Sequence, residues 1–142
     1  MSVQDILQSK GAQVVSVAPA DTVGNVARVL ADRRIGAVLV REEGRVVGVF
    51  SERDVVRGLA RYGAPALDRP VSDLMTRDVV TCKSSDTVHD VMERMTAKRI
   101  RHLPVLDNGQ LRGIVSIGDL VKARIEEAER EAQDLKEYIK AG

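Results

Sequence analysis

With 142 residues and 44% apolar side chains, mostly Val, Leu, Ile and Ala, the chain can bury a core as one compact domain or as two small intimate ones. Its 22 basic and 21 acidic residues leave a net charge of +1, which gives no basic field for generic nucleic-acid binding. The single Cys82 excludes an intramolecular disulfide and a multi-cysteine metal cluster, and no apolar run approaches the ~20 residues of a membrane helix. Met1-Ser2-Val3-Gln4-Asp5 lacks the charged start and apolar stretch of a signal peptide, so a soluble, cytoplasmic protein is expected. Cys82 reads as a small apolar residue in or near a strand.

The elements run twice. A short strand over Val14 to Val17 leads into a polar turn whose Asp21-Thr22 can cap a helix. Val23, Val26, Val29 and Leu30 then recur at helical spacing. A strand from Ile35 to Val40, a hairpin at Glu42-Glu43-Gly44 and a strand from Val46 to Phe50 follow, and a second helix opens at Ser51. Tyr62 to Asp78, with Gly63, Pro65 and Pro70, reads as a connector. The same order then returns. A strand spans Val79 to Cys82, and a helix carries Val88, Val91, Met92 and Met95. Strands over Ile100 to Leu106 and Leu111 to Val115 flank a hairpin at Asp107-Asn108-Gly109, and a helix opens at Ser116.

An offset of 65 residues superimposes the halves without a gap. Val14-Val15 falls on Val79-Val80, Asp21-Thr22-Val23 on Asp86-Thr87-Val88, Arg34-Ile35 on Arg99-Ile100, and Gly44 and Gly48 on Gly109 and Gly113. Ser51 and Asp54 fall on Ser116 and Asp119. The expected fold class is α+β (mixed α/β), two β-α-β-β-α units packed as a pseudo-twofold pair, since one small sheet with two helices buries little alone. The expected boundaries are an N-terminal segment and first repeat over 1–62, a linker over 63–78, a second repeat over 79–125 and a C-terminal helix extension over 126–142.

Two features could carry chemistry. Ser51-Glu52-Arg53-Asp54 and Ser116-Ile117-Gly118-Asp119 each sit where a strand gives way to a helix. The pair can be a capping box. It can also be a ligand site, because a helix N-terminus offers N–H groups to an anion and the carboxylate can accept both hydroxyls of a ribose. Gly118, unfavourable in a first helical turn by up to ~1 kcal/mol relative to Ala, suits close approach of a ligand to the backbone. The second feature is Lys98-Arg99-Ile100-Arg101-His102-Leu103-Pro104-Val105. Arg99 and Arg101 share one side of an extended segment, and an Arg fork suits phosphate. Lys98 and Arg99 equally suit a solvated helix C-terminus. Half one has Gly36-Ala37 in place of Arg101-His102, so the two halves cannot form equivalent sites. His102 and His89 are not at metal-ligand spacing, so no metal site is expected. No nucleophile elbow, Walker loop or paired Cys or His set is present, which argues against an enzyme.

Asp119 to Lys140 contains no Gly or Pro, and Val121, Ile125, Ala128, Ala132, Leu135 and Ile139 form a heptad seam. Packing on its own domain and a helix–helix dimer contact both fit it.

Ser16-Val17-Ala18-Pro19-Ala20-Asp21-Thr22-Val23, Gly48-Val49-Phe50-Ser51-Glu52-Arg53-Asp54, Ile100-Arg101-His102-Leu103-Pro104-Val105 and Gly113-Ile114-Val115-Ser116-Ile117-Gly118-Asp119 together resemble CBS domains. The tandem is similar to a CBS pair, or Bateman module, from about Val14 to Ala123. That resemblance implies a non-catalytic module binding adenosine derivatives: AMP, ADP or ATP, and in some members NAD(H) or S-adenosylmethionine. It implies one site formed by Ser51 and Asp54 with Val79, Val80, Thr81, Arg101 and His102. There Asp54 would hold ribose, the surroundings of Val80 adenine, and Arg101 with His102 phosphate. The other site would combine Ser116, Gly118 and Asp119 with Val14, Ile35, Gly36 and Ala37. Leu39 stands where the family often has Pro, which with Gly36-Ala37 argues against phosphate recognition there; Lys10 or Arg53 could supply the missing charge. The resemblance further implies a homodimer and an effector protein acting in trans. The alternatives are a structural interaction module without ligand and, against the near-neutral charge and three aromatics, a nucleic-acid binder using Arg33, Arg34, Lys98, Arg99 and Arg101.

Overall fold

A computed structural model of the chain describes residues 1–141. The helices are α1 (Val3–Lys10), α2 (Val23–Arg33), α3 (Glu52–Tyr62), α4 (Val88–Lys98) and α5 (Ile117–Ala141). The strands are β1 (Ser16–Val17), β2 (Ala37–Glu42), β3 (Arg45–Ser51), β4 (His102–Asp107) and β5 (Gln110–Ser116). The offset of 65 holds at the backbone. Thr22 and Thr87 are the N-caps of α2 and α4, accepting from Asn25 N–H at 3.2 Å and Asp90 N–H at 3.1 Å. Arg34 and Arg99 close those helices in the left-handed region, at φ 54° and 56°. Both hairpins carry an irregularity at the matching place, Val40/Arg41 and Val105/Leu106.

The chain forms two compact units, one of Val14–Val79 and one of Met1–Gln13 with the chain from Val80 onward. In the first, β1 runs parallel to β2, and β2 is antiparallel to β3. Val23, Val26 and Leu30 of α2 pack on Val38, Val40 and Phe50, with Val71 and Met75 closing the core. In the second, Val88, Val91 and Met95 of α4 pack on Leu103, Val105 and Val115, with Val3, Ile6, Cys82, Leu120 and Ala123. Cys82 lies where a small apolar residue was expected, and burial pushes its thiol up to about 12.

Two details depart from the sequence expectation. The strand expected over Val79 to Cys82 is reduced to a single bridge, Cys82 to Val105. In the first unit the Leu39 N–H donates to Val15 C=O at 3.2 Å; the matching residue in the second is Pro104, which has no N–H to donate. The grouping also differs from the boundaries drawn above. Residues 1–13 pack with the second repeat rather than the first, and the expected linker supplies the buried Ala66, Val71 and Met75 to the first repeat. Each repeat is thus completed by the segment that precedes the other repeat in the chain. Val3 N–H donates to Asp86 C=O at 2.9 Å, as Val71 N–H does to Asp21 C=O at 2.8 Å. The equivalence extends to two glycines. A Cβ on Gly48 would come within 2.5 Å of Met75 Sδ, and one on Gly113 within 2.8 Å of Leu7 Cδ2.

Candidate functional site

In the first unit the hairpin register sets Ala37 opposite Ser51, where β3 ends and α3 begins. The first helical N–H, that of Glu52, donates to the Gly36 carbonyl at 3.0 Å, so this strand pair is stitched to the helix start. Asp54 Oδ2 accepts from Ser51 N–H at 2.8 Å and from its hydroxyl at 3.2 Å. Asp54 is 5% exposed, the one buried charged residue among the described residues. Burial pushes its carboxyl above the ordinary Asp value, against the Ser51 hydrogen bonds and the Arg57 and Arg53 charges, which pull it down. Arg57 stands 3.8 Å from Oδ1 and is itself largely exposed.

The second unit repeats the junction with a different charge balance. His102 lies opposite Ser116, and Ile117 N–H donates to the Arg101 carbonyl at 2.8 Å. Ser116 N–H donates to Asp119 Oδ2 at 2.9 Å, and Asp119 N–H donates back to Ser116 Oγ at 3.2 Å, a complete capping box. Lys10, at the end of α1, adds a contact that sequence reasoning could not place. Its Nζ donates to Asp119 Oδ2 at 2.7 Å and to the Ile114 carbonyl at 3.0 Å. Burial would raise the Asp119 carboxyl, but the hydrogen bonds from Lys10 and Ser116 and the Lys10 charge outweigh it and hold the group below the ordinary value. A Cβ on Gly118 would make only an ordinary contact, with Ser116 Oγ at 3.6 Å.

The remaining candidates divide between the units. Val14, Ile35, Gly36, Ala37, Ser51, Asp54 and Val79 belong to the first; Val80, Thr81, Arg101, His102, Ser116, Gly118 and Asp119 belong to the second. Ile35 and Val80 pack against their cores. Val79 lies outside the strands, its N–H turned to the Arg77 carbonyl at 3.0 Å. The Thr81 carbonyl accepts from Arg94 Nη1 at 2.9 Å, and that guanidinium also meets Asp86 at 3.2 Å. Arg99 and Arg101 do not share an extended segment. Arg99 is the left-handed cap of α4, with Ile100 N–H turned back to the Met95 carbonyl at 3.0 Å, and β4 begins only at His102. Arg101 is exposed.

A third Ser-x-x-Asp, Ser2-Val3-Gln4-Asp5, opens α1 with the same geometry: Ser2 N–H and hydroxyl donate to Asp5 Oδ2 at 2.9 and 3.2 Å. The pattern is therefore first a helix cap, and what sets residues 51–54 and 116–119 apart is the β-strand delivering each. Among the described residues, no group of three or more His, Cys, Asp or Glu side chains could hold a metal ion. Nor, among the described residues, is any helix long and apolar enough to cross a membrane.

Residues 3–61 and 71–126 each match the CBS domain family model. The chain belongs to the CBS-domain family and carries two such domains in tandem. The CBS domain-containing protein CBSX3, mitochondrial, of Arabidopsis thaliana is 31% identical over 150 residues, spanning 99% of this chain and 73% of that protein. The crystal structure of the CBS-domain protein ATU1752 from Agrobacterium tumefaciens superimposes with a TM-score of 0.86 and 47% identity, over 87% of this chain and 99% of that one. The CBS domain protein PAE2072 from Pyrobaculum aerophilum, solved in complex with AMP, gives a TM-score of 0.74 and 32% identity, over 84% of this chain and 89% of that one.

Proposed function

We propose that this chain is a non-catalytic regulatory module that senses an adenosine nucleotide between its two CBS repeats and signals occupancy, as a cytoplasmic homodimer, to a partner protein in trans. The observation that carries the reading is the duplicated junction: in each unit a carboxylate is fixed at the start of a helix beside the strand entry that precedes it. Kinship with a protein solved with AMP supplies the ligand class.

In this reading one site joins Ser51 and Asp54 to Val79, Val80, Thr81, Arg101 and His102. Asp54 accepts the ribose hydroxyls, the backbone and apolar surface near Val80 take adenine, and Arg101 with His102 meet phosphate. The other joins Ser116, Gly118 and Asp119 to Val14, Ile35, Gly36 and Ala37. Gly36 and Ala37 offer no charge, so this site reads base and ribose, with Lys10 the cation nearest its carboxylate. AMP, ADP and ATP are the preferred candidates and NAD(H) the next. Thermal unfolding with AMP, ATP and NADH tests the proposal. A ligand at 100 times its dissociation constant stabilises by ~2.7 kcal/mol, and Asp54→Ala removes the first site's share. No shift with any of the three would leave an interaction module with a vestigial cleft.

A further inference from the structure

The second half of α5 has nothing of its own unit to cover it. The helix runs 25 residues, about 37 Å at ~1.5 Å per residue, yet its buried residues are only Leu120 and Ala123. Val121, Ile125, Leu135 and Ile139 are 42%, 54%, 60% and 67% exposed and share one stripe with Ala128 and Ala132. Most helix stability in proteins comes from packing an apolar face, and a partner for the stripe would remove these side chains from solvent.

The charges beside the stripe select that partner. With Ile125, Ala132 and Ile139 at one seam position and Val121, Ala128 and Leu135 at the other, Arg124 and Glu131 flank the stripe on one side. Lys122, Glu129 and Lys136 flank it on the opposite side. In a parallel, in-register pair of identical helices, each residue on the first side faces the residue five later on the other copy. Arg124 then meets Glu129, and Glu131 meets Lys136, so both pairs are of opposite charge. A fully overlapped antiparallel pair would instead set Glu129 on Glu129, Glu131 on Glu131 and Lys122 on Lys136. Within one chain Arg124 has only a 3.4 Å contact with Glu127, half exposed and easily exchanged.

We infer that residues 121–139 of α5 pair in parallel and in register with the same segment of a second copy of this chain. This gives the homodimer proposed above a surface and a direction, and it does not depend on nucleotide binding. The Ala pair at 128 and 132 lets the helices approach closely, while Ile125, Leu135 and Ile139 supply the buried area.

The test is sedimentation equilibrium on the full chain, with circular dichroism confirming that each variant folds; the substituted side chains are exposed and outside both cores. The wild type is expected to dimerise. Leu135→Glu with Ile139→Glu should weaken the dimer about a hundredfold or more, by burying carboxylates in the seam. Arg124→Glu and Glu129→Arg should each weaken it about fivefold, and the two together should restore it. Ile139→Cys should cross-link the copies on mild oxidation, because Cys82 is buried and the parallel register brings the new thiols together. A wild type that stays monomeric would overturn the inference and leave the stripe to another protein. So would a dimer indifferent to the seam changes, a charge exchange that fails to restore pairing, or an Ile139→Cys chain that does not cross-link.

Discussion

Asp54 and Asp119 hold equivalent places in the two repeats, but their surroundings move them in opposite directions. Asp54 is buried, and that burial outweighs the Ser51 hydrogen bonds and the exposed Arg57, so its raised carboxyl holds its proton more readily folded than unfolded. Its ionisation therefore costs stability as pH rises through that raised value, and the cost vanishes below the ordinary Asp value. Asp119, held low by Lys10 and Ser116, contributes stability that is present above the ordinary Asp value and is lost as pH falls through its depressed one. Lys10→Met should cost about 0.5–1 kcal/mol at pH 7, since the pair is partly exposed, and the difference should shrink in acid. Asp54→Asn should remove the gain in stability at mildly acidic pH that the raised carboxyl predicts for the wild type. Urea midpoints followed between pH 3 and 7 check both. Gly118→Ala separates fold from function. The lack of a clash at Gly118 predicts a gain of up to ~1 kcal/mol from helix propensity, together with weaker nucleotide binding at the second site. Lower stability would show that the backbone there depends on glycine.

The segment that precedes each repeat packs on the other one, and α1 is the clearer case. Ile6 is 7% exposed within the second core, so Ile6→Ala should cost about 2–4 kcal/mol. Hydrogen exchange should then speed up in α4, β4 and β5 while β2 and β3 keep their protection. Equal loss in both units would contradict the assignment of α1 to the second. Gly113→Ala should cost less than about 1 kcal/mol, since the atom in the way is the end of the half-buried Leu7 side chain, which can turn aside, and Leu7→Ala should recover that cost. Whereas α1 was not anticipated, helices α2 to α5 and both hairpins were legible because their apolar periods, Thr or Ser caps and hairpin glycines are local signals. The third strand of the second unit was not, because the missing donor at Pro104 matters only once the strands are paired. The partner of α1 was illegible for a related reason: Val3 and Ile6 mark an amphipathic turn, and nothing local says which repeat it covers.

Over the whole molecule, the duplication made the architecture readable from Val14 onward, and the repeated Ser-x-x-Asp marked both junctions. The motif's third occurrence at Ser2 shows its limit, since the same spacing caps a helix with no strand leading into it. Lys10 could be named as a cation but not placed, because its contact with Asp119 spans 109 residues of sequence. Isothermal titration of AMP into the wild type, Asp54→Ala and Asp119→Ala tests the sensing role most directly. Heat of binding in the wild type, reduced by each substitution and absent from the double variant, is the expected result. Binding that survives both substitutions, or none in the wild type, would contradict a nucleotide sensor built on these two carboxylates.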